Sequence, residues 1–193
     1  MKRITVFCGS SPGTEKVYEE QAYLLGKTLA GKKIGIVYGG AKIGLMGAVA
    51  NGAMENDGEV IGVLPVFLST KEVAHDNLTQ LILVDTMHER KTKMHELCDG
   101  IIALPGGFGT MEELFEVLTW AQLGLHKKPI GILNTNGFYD SLLQMVEKMV
   151  QDGFLKEINR DMLLVSHTID SLLEKMKNYR APEIKKWISK ETT

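Results

Sequence analysis

Short, unbroken apolar runs alternate with amphipathic stretches along the chain. The runs fall at 4–8, 34–38, 60–64, 81–84, 101–104, 130–133 and 163–165. They are rich in Ile, Val and Leu and do not alternate with polar residues, the pattern of strands buried on both faces of a parallel sheet. Between them, 15–30, 45–55, 87–98, 110–123, 138–152 and 168–178 place apolar residues at helical spacing. In the first of these, Val17, Ala22, Leu25 and Leu29 fall roughly on one face. This βαβα alternation predicts an α/β fold, one domain over 1–193, with a parallel β-sheet of about seven strands and helices on both faces. Residues 68–79 are the least regular stretch and predict a loop with a short helix. Residues 181–190 predict a last helix, with Pro182 in its first turn.

In open α/β sheets, ligands bind beyond the carboxyl ends of the strands. Three turns built from small residues follow predicted strands. They are Gly9-Ser10-Ser11-Pro12-Gly13, Gly39-Gly40 with Gly44-Leu45-Met46-Gly47, and Pro105-Gly106-Gly107-Phe108-Gly109-Thr110. The last links a buried strand to a helix. Its backbone N–H groups and the helix dipole favour an anion, most naturally a phosphate. A tight turn with no ligand is the plain alternative, but three glycines among positions 106, 107 and 109 favour a site.

Two nucleotide fingerprints fail there. A dinucleotide motif begun at Gly107 and Gly109 would end on Glu112, whose carboxylate repels a pyrophosphate. Gly39 and Gly44 have the spacing of a P-loop, but Leu45 stands where the lysine belongs. A monophosphate on a glycine turn remains. Glu113 carries two readings: a carboxylate facing a ligand, or the partner of Thr110 in a capping box. Periodicity does not choose between them. Arg90 and Lys91, in the segment Met87-His88-Glu89-Arg90-Lys91, sit where cations do not help a helix dipole, which suggests that they pair with an anion.

Composition narrows the function classes. The 193 residues carry a formal net charge of −2, with 44% hydrophobic and 24% charged residues, ordinary for a globular protein. No basic surface points to nucleic acid, and no run approaches the ~18 apolar residues of a membrane span. The cysteines, Cys8 and Cys98, form neither a disulfide framework nor a zinc spacing, and the first apolar run is too short for a signal peptide. A cytoplasmic protein is expected. Five scattered histidines (His75, His88, His95, His126 and His167) show no metal-ligand spacing, and no metal is expected.

The segment 105–113, Pro-Gly-Gly-Phe-Gly-Thr-Met-Glu-Glu, together with Arg90-Lys91 at its separation, resembles the two motifs of the LOG ("lonely guy") family of cytokinin riboside 5′-monophosphate phosphoribohydrolases. The turns at 7–11 and 38–47 are similar to the family's other two, so the resemblance spans roughly 4–177. It implies a Rossmann-like fold, a homodimer, no cofactor, and a nucleoside monophosphate as the small-molecule partner. It implies Arg90 and Glu113 as the catalytic pair. Contacts to the nucleotide are implied for Glu72, Lys91, Gly107, Phe108, Gly109, Thr110, Met111, Glu112 and Thr119, with Gly9, Ser10, Gly39 and Gly40 lining the other turns. The expected reaction is hydrolysis of the N-glycosidic bond of an adenosine 5′-monophosphate, with or without an N6 substituent. The alternatives are a non-catalytic nucleotide or cofactor carrier, a single-strand DNA binder, and a lysine decarboxylase, the label that many relatives carry. No lysine sits in a setting suited to a pyridoxal-phosphate Schiff base.

Overall fold

A computed structural model describes residues 1–69 and 74–183. In chain order the strands are β1 (Arg3–Phe7), β2 (Gly35–Tyr38), β3 (Val60–Pro65), β4 (Gln80–Val84), β5 (Gly100–Ala103), β6 (Ile130–Leu133) and β7 (Leu163–Ser166). The helices are α1 (Lys16–Gly31), α2 (Gly44–Met54), α3 (Val66–Ser69), α4 (Met87–Glu96), α5 (Phe108–Gln122), α6 (Asp140–Gln151), α7 (Glu157–Arg160) and α8 (Ile169–Asn178), with a 3₁₀ turn at Thr135–Gly137. All the expected strands and the six long helices are present, shifted by a residue or two at their ends. The short helix near 68–79 starts earlier than expected, at Val66. Most of the helix expected over 181–190 lies outside the described residues, and so does Glu72.

The seven strands form one sheet in the order β4-β3-β2-β1-β5-β6-β7, and every pairing is parallel. From β1 the chain winds outward through β2, β3 and β4. It then crosses back by α4 to β5 and winds the other way. The reversal falls between β1 and β5, where open α/β sheets form their ligand crevice.

Both faces of the sheet are covered, which is why the strands lack polar alternation. On one face Ile4 and Val6, Ile36, Ile102 and Leu133 pack under α1, α2 and α8. On the other, Val37, Ile61, Ile101 and Ile132 pack under α4 and α5, with Met94, Leu114 and Val117 between them. The buried Thr5 hydroxyl donates to Met94 C=O at 2.8 Å, tying α4 to the central strand.

The same two helices meet at their far ends. The His95 ring packs edge-on against Trp120 at 5.3 Å and lies tilted against His126 at 4.7 Å, while Lys128 donates to His95 C=O. His95 Nε2 is buried with no partner among the described residues. Burial pushes His95 down to about 4, with Lys128 and His126 adding to the shift, and burial lowers His126 as well.

A histidine held neutral in the fold, with an unfolded value of about 6.5, contributes stability that is complete above that pH. The contribution is lost as pH falls from about 6.5 towards the folded value near 4. The urea midpoint should therefore drop over that interval, and His95→Phe should flatten the drop. An equally steep decline in the variant would show that His95 does not carry it.

Candidate active site

Three loops meet at the β1–β5 reversal and are tied together by their backbones. Gly9 N–H donates to Pro105 C=O at 3.0 Å, and Leu45 N–H donates to Gly9 C=O at 3.1 Å. They leave a cleft of about 280 Å³, lined by Gly9 and Ser10, Gly39 and Met46, Arg90, the 107–110 turn and Glu113, with Cys8 and Met94 at its floor.

The turn after β5 is the start of α5. Gly107 is the N-cap residue, extended at φ −91° and ψ −154°, and no side chain caps the helix. The first backbone bond runs from Met111 N–H to Gly107 C=O at 3.1 Å, so the N–H groups of Phe108, Gly109 and Thr110 lack intrahelical partners. A Cβ built on Gly107 or Gly109 would meet nothing within 4 Å. Among the described residues no neighbouring atom therefore requires glycine at either position, and the bare backbone there is open to the close approach of a ligand.

Because α5 begins at Phe108, Thr110 lies inside its first turn and Glu113 in its second. The capping box weighed for Thr110 and Glu113 is not formed. A reciprocal cap is found instead at the start of α4. There the Thr86 hydroxyl accepts from Glu89 N–H at 3.1 Å, and the Glu89 carboxylate accepts from Asp85 N–H at 2.9 Å. This cap offsets the cations that follow it and fixes the turn that carries Arg90.

Arg90 is only 8% exposed. Its Nε donates to Val63 C=O at 3.1 Å and its Nη2 to Gly39 C=O at 3.2 Å. A Cβ on Gly39 would collide with this guanidinium, so glycine at 39 makes room for the arginine. Glu113 shares the cleft. Burial pushes its carboxyl up to about 7; Arg90 opposes that shift, Glu112 adds to it, Lys91 opposes it and Glu116 adds to it. Burial also raises the Cys8 thiol, with Glu113 adding to the effect and Arg90 opposing it, so Cys8 is a neutral wall rather than a nucleophile. A carboxyl near neutrality can hold or release a proton at physiological pH, which is what acid–base work requires.

Among the residues singled out in the sequence, the cleft gathers Gly9, Ser10, Gly39, Arg90, Gly107, Phe108, Gly109, Thr110 and Glu113. Gly40, at φ +83°, lies outside the cleft lining, where a Cβ would press on Leu64 and Leu81. Met111 packs into the core beneath α5. Glu112 and Lys91 pair with each other at 2.5 Å, outside the cleft lining. Thr119 is exposed and donates to Phe115 C=O at 2.7 Å. Cys8, Met46 and Met94 also line the cleft, although the sequence reading gave none of them a role there. Cys8 and Met46 adjoin the glycine turns and Met94 lies one helical turn beyond Arg90, the only signals available.

A family model described as "Possible lysine decarboxylase" matches residues 46–176. The chain is 45% identical over 178 residues to the cytokinin riboside 5′-monophosphate phosphoribohydrolase LOG of Oryza sativa subsp. japonica, covering 92% of this chain and 74% of that one. It is 42% identical over 191 residues to the Arabidopsis thaliana enzyme LOG1 of the same name, covering 99% and 89%. Among solved structures, the molybdenum cofactor carrier protein of Chlamydomonas reinhardtii superposes with a TM-score of 0.69 at 21% identity, covering 91% of this chain and 95% of that one. That likeness establishes the Rossmann-like fold alone. Near-complete coverage by relatives at this identity shows that the chain belongs to the LOG family of cytokinin riboside 5′-monophosphate phosphoribohydrolases.

Proposed function

We propose that this protein hydrolyses the N-glycosidic bond of a nucleoside 5′-monophosphate of the adenosine type, releasing the free base and ribose 5-phosphate. The observation that carries the reading is a partly buried carboxylate and a buried arginine sharing one cleft with an uncapped helix N-terminus. The 5′-phosphate lies on the N–H groups of the 108–110 turn, with the α5 dipole behind it. Loss of the base builds positive charge on the ribose, which the ionised Glu113 stabilises. Glu113 also takes a proton from the attacking water, whose oxygen bonds to the anomeric carbon as the C–N bond breaks; the departing base takes up a proton from solvent on nitrogen, and Glu113 returns its own to solvent, so the carboxylate is restored. Arg90 holds a fixed positive charge in the cleft and favours the carboxylate form of Glu113.

The lysine decarboxylase description does not fit these residues. No described lysine lines the cleft, and buried Lys91 is engaged by two carboxylates. We further propose a homodimer in the cytoplasm. Cys8 and Cys98 are free thiols, in keeping with a reducing compartment, and no described helix is long and apolar enough to cross a membrane. Edge strand β4 exposes Leu81 and Leu83, and Val66 starts α3 beside the end of that strand, leaving an apolar edge for a second copy to cover. Light scattering should report the mass of two chains; a monomer at micromolar concentration would reject the dimer.

Purified protein incubated with AMP and with N6-isopentenyl-AMP should release base from a monophosphate but not from the matching nucleoside. No base from either nucleotide would reject the reaction. Turnover should rise with pH as Glu113 ionises near 7. Glu113→Gln should lower turnover by about 10²–10⁴-fold while leaving nucleotide affinity largely intact. Gly39→Ala places a methyl on the Arg90 guanidinium and should lower turnover alongside Arg90→Ala, each by roughly a hundredfold. Wild-type rates in Gly39→Ala would show that the carbonyl seat of Arg90 is irrelevant.

A further inference from the structure

Lys91 follows Arg90 on α4, yet its side chain leaves the cleft. Its Nζ donates to Glu112 Oε1 at 2.5 Å and to Glu116 Oε1 at 2.9 Å. The lysine side chain is 9% exposed, so these bonds are shielded on the lysine side. Glu112 and Glu116 are one turn apart on α5, and Glu113 lies between them in sequence. The two groups that share the cleft, Arg90 and Glu113, thus each have a chain neighbour inside one ion-paired triad that joins α4 to α5.

We propose that Lys91 is a positioning residue for this reaction: without touching the nucleotide, it ties α4 to α5 through Glu112 and Glu116 and balances the two carboxylates flanking Glu113, keeping Glu113 a carboxylate in the cleft. The proposal rests on the reading of Glu113 as the reacting carboxylate. Among the described residues, the charged and titratable groups facing Glu113 are Arg90 and Lys91 from α4, Glu112 and Glu116 from α5, and the neutral Cys8 thiol beyond the end of β1. One ammonium against two carboxylates leaves the triad one charge negative, and that negative charge favours a proton on Glu113. Removing the ammonium leaves both carboxylates unbalanced and favours the proton further. Removing one carboxylate does the reverse.

The sign separates this role from a mechanical strut. If the triad only braces the helices, Lys91→Met and Glu116→Gln both loosen it and act in the same direction. If it balances charge, they act in opposite directions. The test is a ¹³C-carboxyl NMR titration of Glu113 in the full chain, alongside the pH dependence of kcat/KM for AMP. Lys91→Met should move the Glu113 midpoint and the acid limb up by about one pH unit, and Glu116→Gln should move both down. Lys91→Arg should restore the wild-type midpoint. Thermal unfolding identifies any variant that fails to fold; should Lys91→Met do so, Glu116→Gln and Lys91→Arg still decide the question. Shifts in one direction, or none, overturn the proposal. So does a rise in KM for AMP with the Glu113 midpoint unchanged, since that marks Lys91 as a phosphate contact. A wild-type protein that releases no base defeats the reading of the reaction, while the titration still decides the role of Lys91.

Discussion

A guanidinium taken out of water must find hydrogen-bond partners or unfold the region around it. Arg90 finds them in the main chain, on Val63 C=O at the end of β3 and Gly39 C=O after β2. Much of the site's geometry follows from that seat. The arginine reaches those carbonyls because α4 crosses back over the sheet on its way to β5, held to β1 by Thr5 and started by the Thr86–Glu89 cap. A side chain at position 39 would displace the guanidinium, which occupies that space. Neutral carbonyls satisfy the arginine's hydrogen bonds without cancelling its charge, so its field still reaches Glu113.

That field works against burial. Burial alone would hold Glu113 protonated; Arg90 and Lys91 pull the other way and leave the group near neutrality. A carboxyl balanced in this manner exchanges a proton readily at cellular pH, as a group acting on water and on a developing sugar cation must. The end of the cleft proposed for the phosphate needs no such balance, because the uncapped first turn of α5 offers fixed N–H donors.

The strands were legible because burial on both faces removes polar alternation, and the long helices because each buries one stripe. α3 was foreseen only as a short helix near 68–79, and α7, also four residues, was not foreseen at all, since a single turn carries no apolar period. The site was half legible. The glycines at 106, 107 and 109 stand out in the sequence because they cluster between a buried strand and a helix, and at 107 and 109 no described neighbour demands them. Whether Glu113 caps the helix or faces the cleft was not legible in the periodicity, because it depends on where α5 starts: beginning at Phe108 rather than Thr110 turns Glu112 to Lys91 and leaves Glu113 for the cleft. The capping box weighed for Thr110 and Glu113 does not form; the side-chain cap that does form is at Thr86, ahead of Arg90, and the sequence reading did not single it out.

The most direct test of the account is a crystal structure of Glu113→Gln with AMP bound. The account predicts the 5′-phosphate on the N–H groups of Gly109 and Thr110, with the anomeric carbon facing the side chain at 113. A phosphate seated on Arg90, or a nucleotide bound away from this cleft, would contradict it.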